Sequence, residues 1–344
     1  MVSHPALFWQ SAEGGSVRCL LCRHFCVIRE GQTGICRVRT NRGGFLFTSS
    51  YGAIIAEQVD PIEKKPFFHF LPGTKAYSVA APGCNFSCPF CQNAAISQAP
   101  AEGRNIAVLR STPSDIVDRA LGARCASISF TYTEPTIFFE FALDVARRAV
   151  EKGIRNNFVT NGYMSEKALR EIAPVLHAAN VDLKGDEEFY RTLCRARMAP
   201  VVDTIRLMRE LGIWVEVTTL VVPGRNDSPE TLRMIARSIA EIDQNIPWHV
   251  SRFFPAYRMG DESPTPVSSL ARALEIGREA GLRYLYAGNV PGDRSESTFC
   301  HRCGALLVKR YGFSVLENRV SAGRCPECKA EISGVWAAVD GRVS

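Results

Sequence analysis

The stretch CNFSCPFCQN, residues 84–93, sets Cys84, Cys88 and Cys91 at a C-x3-C-x2-C spacing. A closed structural zinc site takes four Cys or His ligands. Three thiols in one tight loop leave a coordination position open. His69 or His249 would be needed to complete a zinc site. A trio of inert buried thiols fits poorly, because Asn85, Ser87 and Gln92 interleave them with polar groups. A cubane [4Fe–4S] cluster is normally held by four thiolates. Held by three, it keeps one iron for an exogenous chelating ligand, and that reading accounts best for the count.

The surroundings of this loop set the fold. Short apolar runs at 76–82, 126–133, 155–161, 180–184, 214–222, 248–254 and 282–288 read as strands. Between them lie amphipathic helical patterns at 137–153, 165–179 and 228–243, the last two with Ser caps. Strands alternating with helices make βαβ units and a parallel sheet. The expected fold is α/β, a partial or complete (β/α) barrel, with a doubly wound open sheet as the alternative. The expected domains are a cysteine-containing N-terminal region (1–74), the barrel (75–295) and a four-cysteine tail (296–344).

In such barrels reactive groups stand where strands give way to loops at the C-terminal face. The three-cysteine loop follows the first strand, Glu134 the second, Asn161 the third, Lys184 the fourth and Asn226 the fifth. His249 lies within the sixth. The segment DPIEKKP (60–66) reads either as a solvated loop or as a lid over the barrel mouth, with His69 and nearby aromatics excluding water.

The chain has 344 residues, 46% hydrophobic and 22% charged, enough for one large or two smaller domains. No apolar run is long enough to cross a bilayer, and MVSHPALFWQ lacks the form of a secretion signal. A cytoplasmic protein without a membrane partner is expected. The net charge of +6 is spread along the chain without a dense basic tract, which argues against nucleic acid as a partner. Thirteen cysteines in a reducing compartment point to metal or redox chemistry rather than disulfides.

Cys300-x2-Cys303 and Cys325-x2-Cys328 have zinc-ribbon or rubredoxin-like spacing, so a closed site for zinc or iron is expected. A tail this short has too small a core to fold comfortably without such a staple. Cys19, Cys22, Cys26 and Cys36 have a less regular spacing, with His24 among them, and suggest a second metal site, zinc or an auxiliary cluster. Cys125 and Cys194 stand alone.

The three-cysteine loop after the first barrel strand resembles the radical S-adenosylmethionine enzymes. The resemblance implies that S-adenosylmethionine chelates the open iron. An electron from the reduced cluster then cleaves its sulfonium, and the resulting 5'-deoxyadenosyl radical abstracts a substrate hydrogen. Phe90 stands where that family usually places an aromatic against the adenine. Glu134, in Tyr132-Thr133-Glu134-Pro135, stands where the family often carries Gly-Gly-Glu, but the glycines are absent. Asn161, Asp182 and Lys184 resemble ribose and carboxylate contacts of the glycyl-radical activase branch, and His249 a late-strand histidine there. Read from the residues alone, Glu134 is equally a helix N-terminal acid, and His249 a satisfied core residue.

RCLLCRHFCVIREGQTGICRVRTNRGG, YGAIIAEQVDPIEKKPFFHFLPGT, GCNFSCPFCQNAAISQ and YAGNVPGDRSESTFCHRCG together resemble the radical enzymes of the AmmeMemoRadiSam system, also labelled pyruvate formate-lyase activating enzyme-like. The resemblance implies a reductant protein of flavodoxin or ferredoxin type. It favours hydrogen abstraction from a protein or peptide. A small-molecule substrate, or a non-catalytic zinc scaffold, are the alternatives.

Overall fold

The structure, a computed structural model, describes residues 3–336. Its core is one eight-stranded sheet. In chain order the strands are Ala56–Pro61 (β1), Lys75–Ala80 (β2), Ser127–Phe130 (β3), Arg155–Thr160 (β4), Ala178–Asp182 (β5), Trp214–Val221 (β6), Trp248–Arg252 (β7) and Leu285–Gly288 (β8). Each lies beside its neighbour in sequence. β2 to β8 are all parallel, while β1 pairs antiparallel to β2, with Ala56 opposite Ala80 and Pro61 opposite Lys75. β2, β3 and β6 are buried over nearly their whole length, as a parallel sheet covered on both faces requires.

This order decides between the two expected architectures. A doubly wound sheet reverses its strand order at a switch point, and this one never does. β1 and β8 are not paired with each other, so the sheet curls without closing. The fold is a partial barrel.

Six helices connect the parallel strands: Pro113–Gly122 (α1), Phe139–Glu151 (α2), Glu166–Ile172 (α3), Ala199–Glu210 (α4), Pro229–Ala240 (α5) and Val267–Glu279 (α6). Thr112 and Asp115 form a capping box on α1. The Ser165 and Ser228 hydroxyls accept from Ala168 N and Thr231 N, as their cap positions suggested. The helix expected over 165–179 ends early. Pro174 lacks the N–H that would continue it, and from Ala178 the backbone pairs with Trp214 in the sheet.

The first 50 residues show little periodicity because their strands are two to four residues long. They form two small antiparallel sheets, one around Phe45–Thr48 and one around Val17–Cys19. A boundary at 74 cuts through the main sheet, since β1 belongs to it. The N-terminal region is also tied in by a fully buried pair, Arg39 with Glu140 of α2. Near the C-terminus, Thr298–Phe299, Leu306–Tyr311 and Ser314–Asn318 form an antiparallel ribbon. Its Leu307 and Val308, with Ile332 further along the tail, pack with Phe68, Tyr284 and Tyr286.

Candidate active site

The loop that leaves β2 begins at Gly83, whose φ of 112° is open to glycine and costly for other residues. A Cβ there would stand 3.2 Å from Val38 Cγ1 and 3.4 Å from the Cys36 carbonyl oxygen. The turn presents Cys84, Cys88 and Cys91 to a cavity of about 360 Å3. Phe90, Glu134, Asn161, Asp182 and Lys184 line the same cavity. Four loops remote in sequence therefore meet at the C-terminal face of the sheet.

The thiols are polar-contacted but hold no tight mutual cluster. Phe86 N donates to Cys84 Sγ at 3.3 Å, and Cys91 Sγ lies 3.2 Å from Ser97 Oγ. Asn161 Nδ2 donates to Asn85 Oδ1 at 2.7 Å and lies 3.8 Å from Cys84 Sγ. Asn85 Nδ2 is buried without a partner. Burial raises the Cys84 and Cys91 thiols, with Glu134 adding to the effect at Cys84. For Cys88 the largest cause is a hydrogen bond with Cys194, then burial. Cys194, a lone thiol in the sequence, is that buried neighbour, in a π-helical turn, Tyr190–Cys194, behind the cavity wall. Three recessed thiols with a free face, bordered by buried donors, fit a cluster ligated on three corners.

Lys184 Nζ stands 2.6 Å from Asp182 Oδ2 and 6.0 Å from the Phe90 ring centre. Burial opposes its charge, but Asp182 and the nearby thiols hold it well above the ordinary lysine value. The loop is braced: Asn226 Nδ2 donates to Lys184 O at 2.5 Å, and Tyr190 OH lies 3.1 Å from both Lys184 N and Asp182 O. Asn226 is thereby a support for the lysine rather than a group in the cavity. Phe90 packs on Phe189 with ring centres 5.5 Å apart.

Glu134 carries both of its sequence readings. It caps the turn Pro135–Phe138, accepting from Thr136 N at 3.0 Å, and it borders the cavity. Thr136 Oγ1, Thr160 Oγ1 and Asn161 N donate to the same carboxylate at 2.6, 2.7 and 2.8 Å. Four donors fix its orientation. Two residues earlier, Tyr132 has φ 64°, an uncommon conformation for a bulky side chain.

His249 is placed elsewhere. It is buried in β7 with its Nε2 2.7 Å from Glu216 Oε2 and its ring stacked on Tyr286. It is absent from the cavity wall, because β7 meets the cavity only further along, at Ser251. His69 also lies away from the mouth, its ring nitrogens 2.7 Å from Ser333 O and 2.6 Å from Tyr286 OH. Of the segment read as a solvated loop or a lid, Lys64, Lys65 and Pro66 line the cavity. Lys65 is buried, 2.7 Å from Asp60 and 4.0 Å over the Tyr132 ring, and burial lowers it to about 8.

Sequence reasoning missed Glu216. It accepts from Phe68 N, His69 N, Trp214 Nε1 and His249 Nε2. A single acid inside the apolar strand WVEVTTLVV was the available signal.

The tail sets its four thiols within 4.8 Å of one another, with Cys300–Cys328 at 3.6 Å and Cys303–Cys325 at 3.7 Å. A tetrahedral ion with metal–sulfur bonds near 2.3 Å separates its ligands by about 3.8 Å. The tail is therefore sized for one ion.

Residues 78–236 match the family described as Radical SAM superfamily. An uncharacterized protein of Methanocaldococcus jannaschii, MJ0808, is 43% identical over 330 residues, covering 95% of this chain and 98% of its own. A pyruvate formate-lyase-activating enzyme of Clostridium pasteurianum is 26% identical over 170 residues, 46% of this chain and 67% of its own. A radical SAM methyltransferase structure from Sphaerobacter thermophilus shares the fold with a TM-score of 0.51 and 16% identity, over 88% of this chain and 81% of its own. The protein belongs to the radical SAM superfamily. It is an enzyme, which sets aside the non-catalytic scaffold, and its family uses a [4Fe–4S] cluster and S-adenosylmethionine.

Proposed function

We propose that this enzyme abstracts hydrogen from a protein or peptide, in the manner of the glycyl-radical activases. The observation that carries the reading is the size and setting of the cavity. At about 360 Å3 it lies at the small end of the roughly 300–1,000 Å3 usual for ligand pockets. The cofactor alone would take most of it. A substrate then presents one residue from outside, to the mouth of a sheet that β1 and β8 do not close.

In this reading Cys84, Cys88 and Cys91 hold the cluster. A cluster bound there would supply one-electron chemistry toward S-adenosylmethionine, the chemistry that hydrogen abstraction needs. The chain's own groups orient and shield. Lys184, kept cationic by Asp182, receives the methionine carboxylate as a point charge. Phe90 offers its face to the adenine. Asn161, its backbone N–H fixed by Glu134 and its side-chain amide held by Asn85 beside Cys84, lines the cavity on the side assigned to the ribose. Lys65 and Tyr132, locked together over Asp60, keep water from the mouth. A flavodoxin- or ferredoxin-type protein is the expected reductant. Zinc is the expected ion in the tail.

The test is to reduce the protein with S-adenosylmethionine and deuterated candidate partner proteins from its own cell extract. Deuterium appearing in 5'-deoxyadenosine from a protein fraction supports the proposal. Deuterium arriving only from the small-molecule fraction overturns it.

A further inference from the structure

We infer that Cys19, Cys22, Cys26 and Cys36 hold a second polynuclear iron–sulfur cluster, walled off from the first by a single residue, and not a zinc ion. All four cysteines line one recessed cavity, with Leu21, Ile28 and Ile137 as apolar walls.

Size separates the two metal chemistries, and the tail provides the scale within the same molecule. There the four sulfurs lie within 4.8 Å of one another, and the paired ones stand at 3.6 and 3.7 Å, the spacing of a single tetrahedral ion. Among the described residues no three of the N-terminal thiols, even with His24 counted, come within that limit. They nevertheless face a common space. A cubane accounts for this, because each thiolate then binds its own iron and the four ligands stand apart. Cys84, Cys88 and Cys91 are spread in the same way. His24 Nε2 is 2.8 Å from the Asn85 carbonyl oxygen, which leaves only its Nδ1 as a ligand atom.

Charge points the same way. Four thiolates around a cluster leave net negative charge in a buried place, which must be countered. Arg39 is 1% exposed and lines this cavity. Its Nη2 is paired with Glu140 and its Nη1 donates to the Leu7 carbonyl, but Nη1 also lies 3.6 Å from Cys19 Sγ, and Nε has no partner.

The position gives the site a redox meaning. Cys84 lines the first cavity, and Asn85, the next residue, lines this one. The Asn85 carbonyl meets His24 while its side chain meets Asn161, which also approaches Cys84. On the other side, a Cβ on Gly83 would meet the Cys36 carbonyl oxygen at 3.4 Å, so the two loops pass close to each other. A second one-electron carrier would sit directly against the first.

The full-length chain is reconstituted anaerobically with iron and sulfide, and iron, sulfide, zinc and the low-temperature EPR spectrum after dithionite reduction are measured. The variant with Cys84→Ala, Cys88→Ala and Cys91→Ala together keeps about half of the wild-type iron and sulfide and still gives a reduced-cluster signal. The double variant Cys22→Ala with Cys36→Ala loses about half of the iron and none of the zinc. Wild-type protein shows two signals broadened by each other. If the triple variant binds no iron, or the double variant loses zinc in place of iron, the inference is wrong. Should the double variant fail to fold by circular dichroism, the triple variant and the wild-type spectrum decide alone. These readouts need no substrate and no cofactor cleavage, so failure of the peptide-substrate proposal leaves them unaffected.

Discussion

Glu216 and His249 form a buried pair, Oε2 to Nε2 at 2.7 Å, in the barrel interior rather than at its mouth. The carboxylate also takes three other donors, so it is a hub for β6, β7 and the 67–70 segment. The Glu216→Ala substitution leaves those donors buried and unsatisfied. A loss of about 3–5 kcal/mol is expected, measured by denaturant unfolding. His249→Phe costs less, about 1–3 kcal/mol. Because His249 is outside the cavity wall, its KM for S-adenosylmethionine changes by less than about twofold. A large KM effect with unchanged stability would return His249 to the cofactor site.

Acid should destabilise this protein well before its carboxylates are neutralised. Burial lowers both His69 and His177 to about 4. Each stays neutral in the fold while an unfolded histidine takes a proton near pH 6.5. The unfolded state therefore binds more protons between those values, and stability rises with pH across that window. Full stability from these groups is present above about pH 6.5 and is lost as the pH falls toward 4. Glu216, held below the ordinary glutamate value by His249 against the effect of burial, adds its loss at still lower pH. Melting curves from pH 8 to pH 4 check the sign, and a flat profile contradicts it.

Lys184 separates cofactor binding from fold. Lys184→Met keeps the stem but removes the charge that Asp182 sustains. A charge-assisted contact is worth about 1.5–3 kcal/mol, so KM for S-adenosylmethionine is expected to rise roughly ten- to hundredfold, with iron content unchanged. Loss of iron would make the lysine a support for the thiol loop instead.

The thiol loop and the tail should fail in different ways. Cys84→Ala, Cys88→Ala or Cys91→Ala abolishes 5'-deoxyadenosine formation, and the far-ultraviolet circular dichroism is unchanged, because the loop caps the sheet. Cys300→Ala releases the tail's metal and lowers the melting temperature, since Leu307 and Val308 then lose their hold on Phe68 and Tyr286. Cofactor cleavage is largely retained. A folded Cys300→Ala protein without cleavage would make the tail part of the reaction.

The sequence alone determined what is local. Strand and helix runs, Ser caps, and the C-x3-C-x2-C loop are set by residues within a few positions of one another, and their order on the C-terminal face follows from the barrel rule. That placed Phe90, Glu134, Asn161, Asp182 and Lys184 around one cavity. Contacts between remote segments were decided only by the tertiary structure. Whether His249 faced a cofactor or a carboxylate depended on a Glu in another strand. Asn226 could be read as a site residue until its amide was found bracing Lys184. The sheet's failure to close depends on pairing across its whole width. Two four-cysteine groups both read as metal sites from the sequence, yet only the tail gathers its sulfurs within 4.8 Å of one another. Ligand separation is a property of the folded backbone that carries the thiols, and spacing along the chain does not encode it.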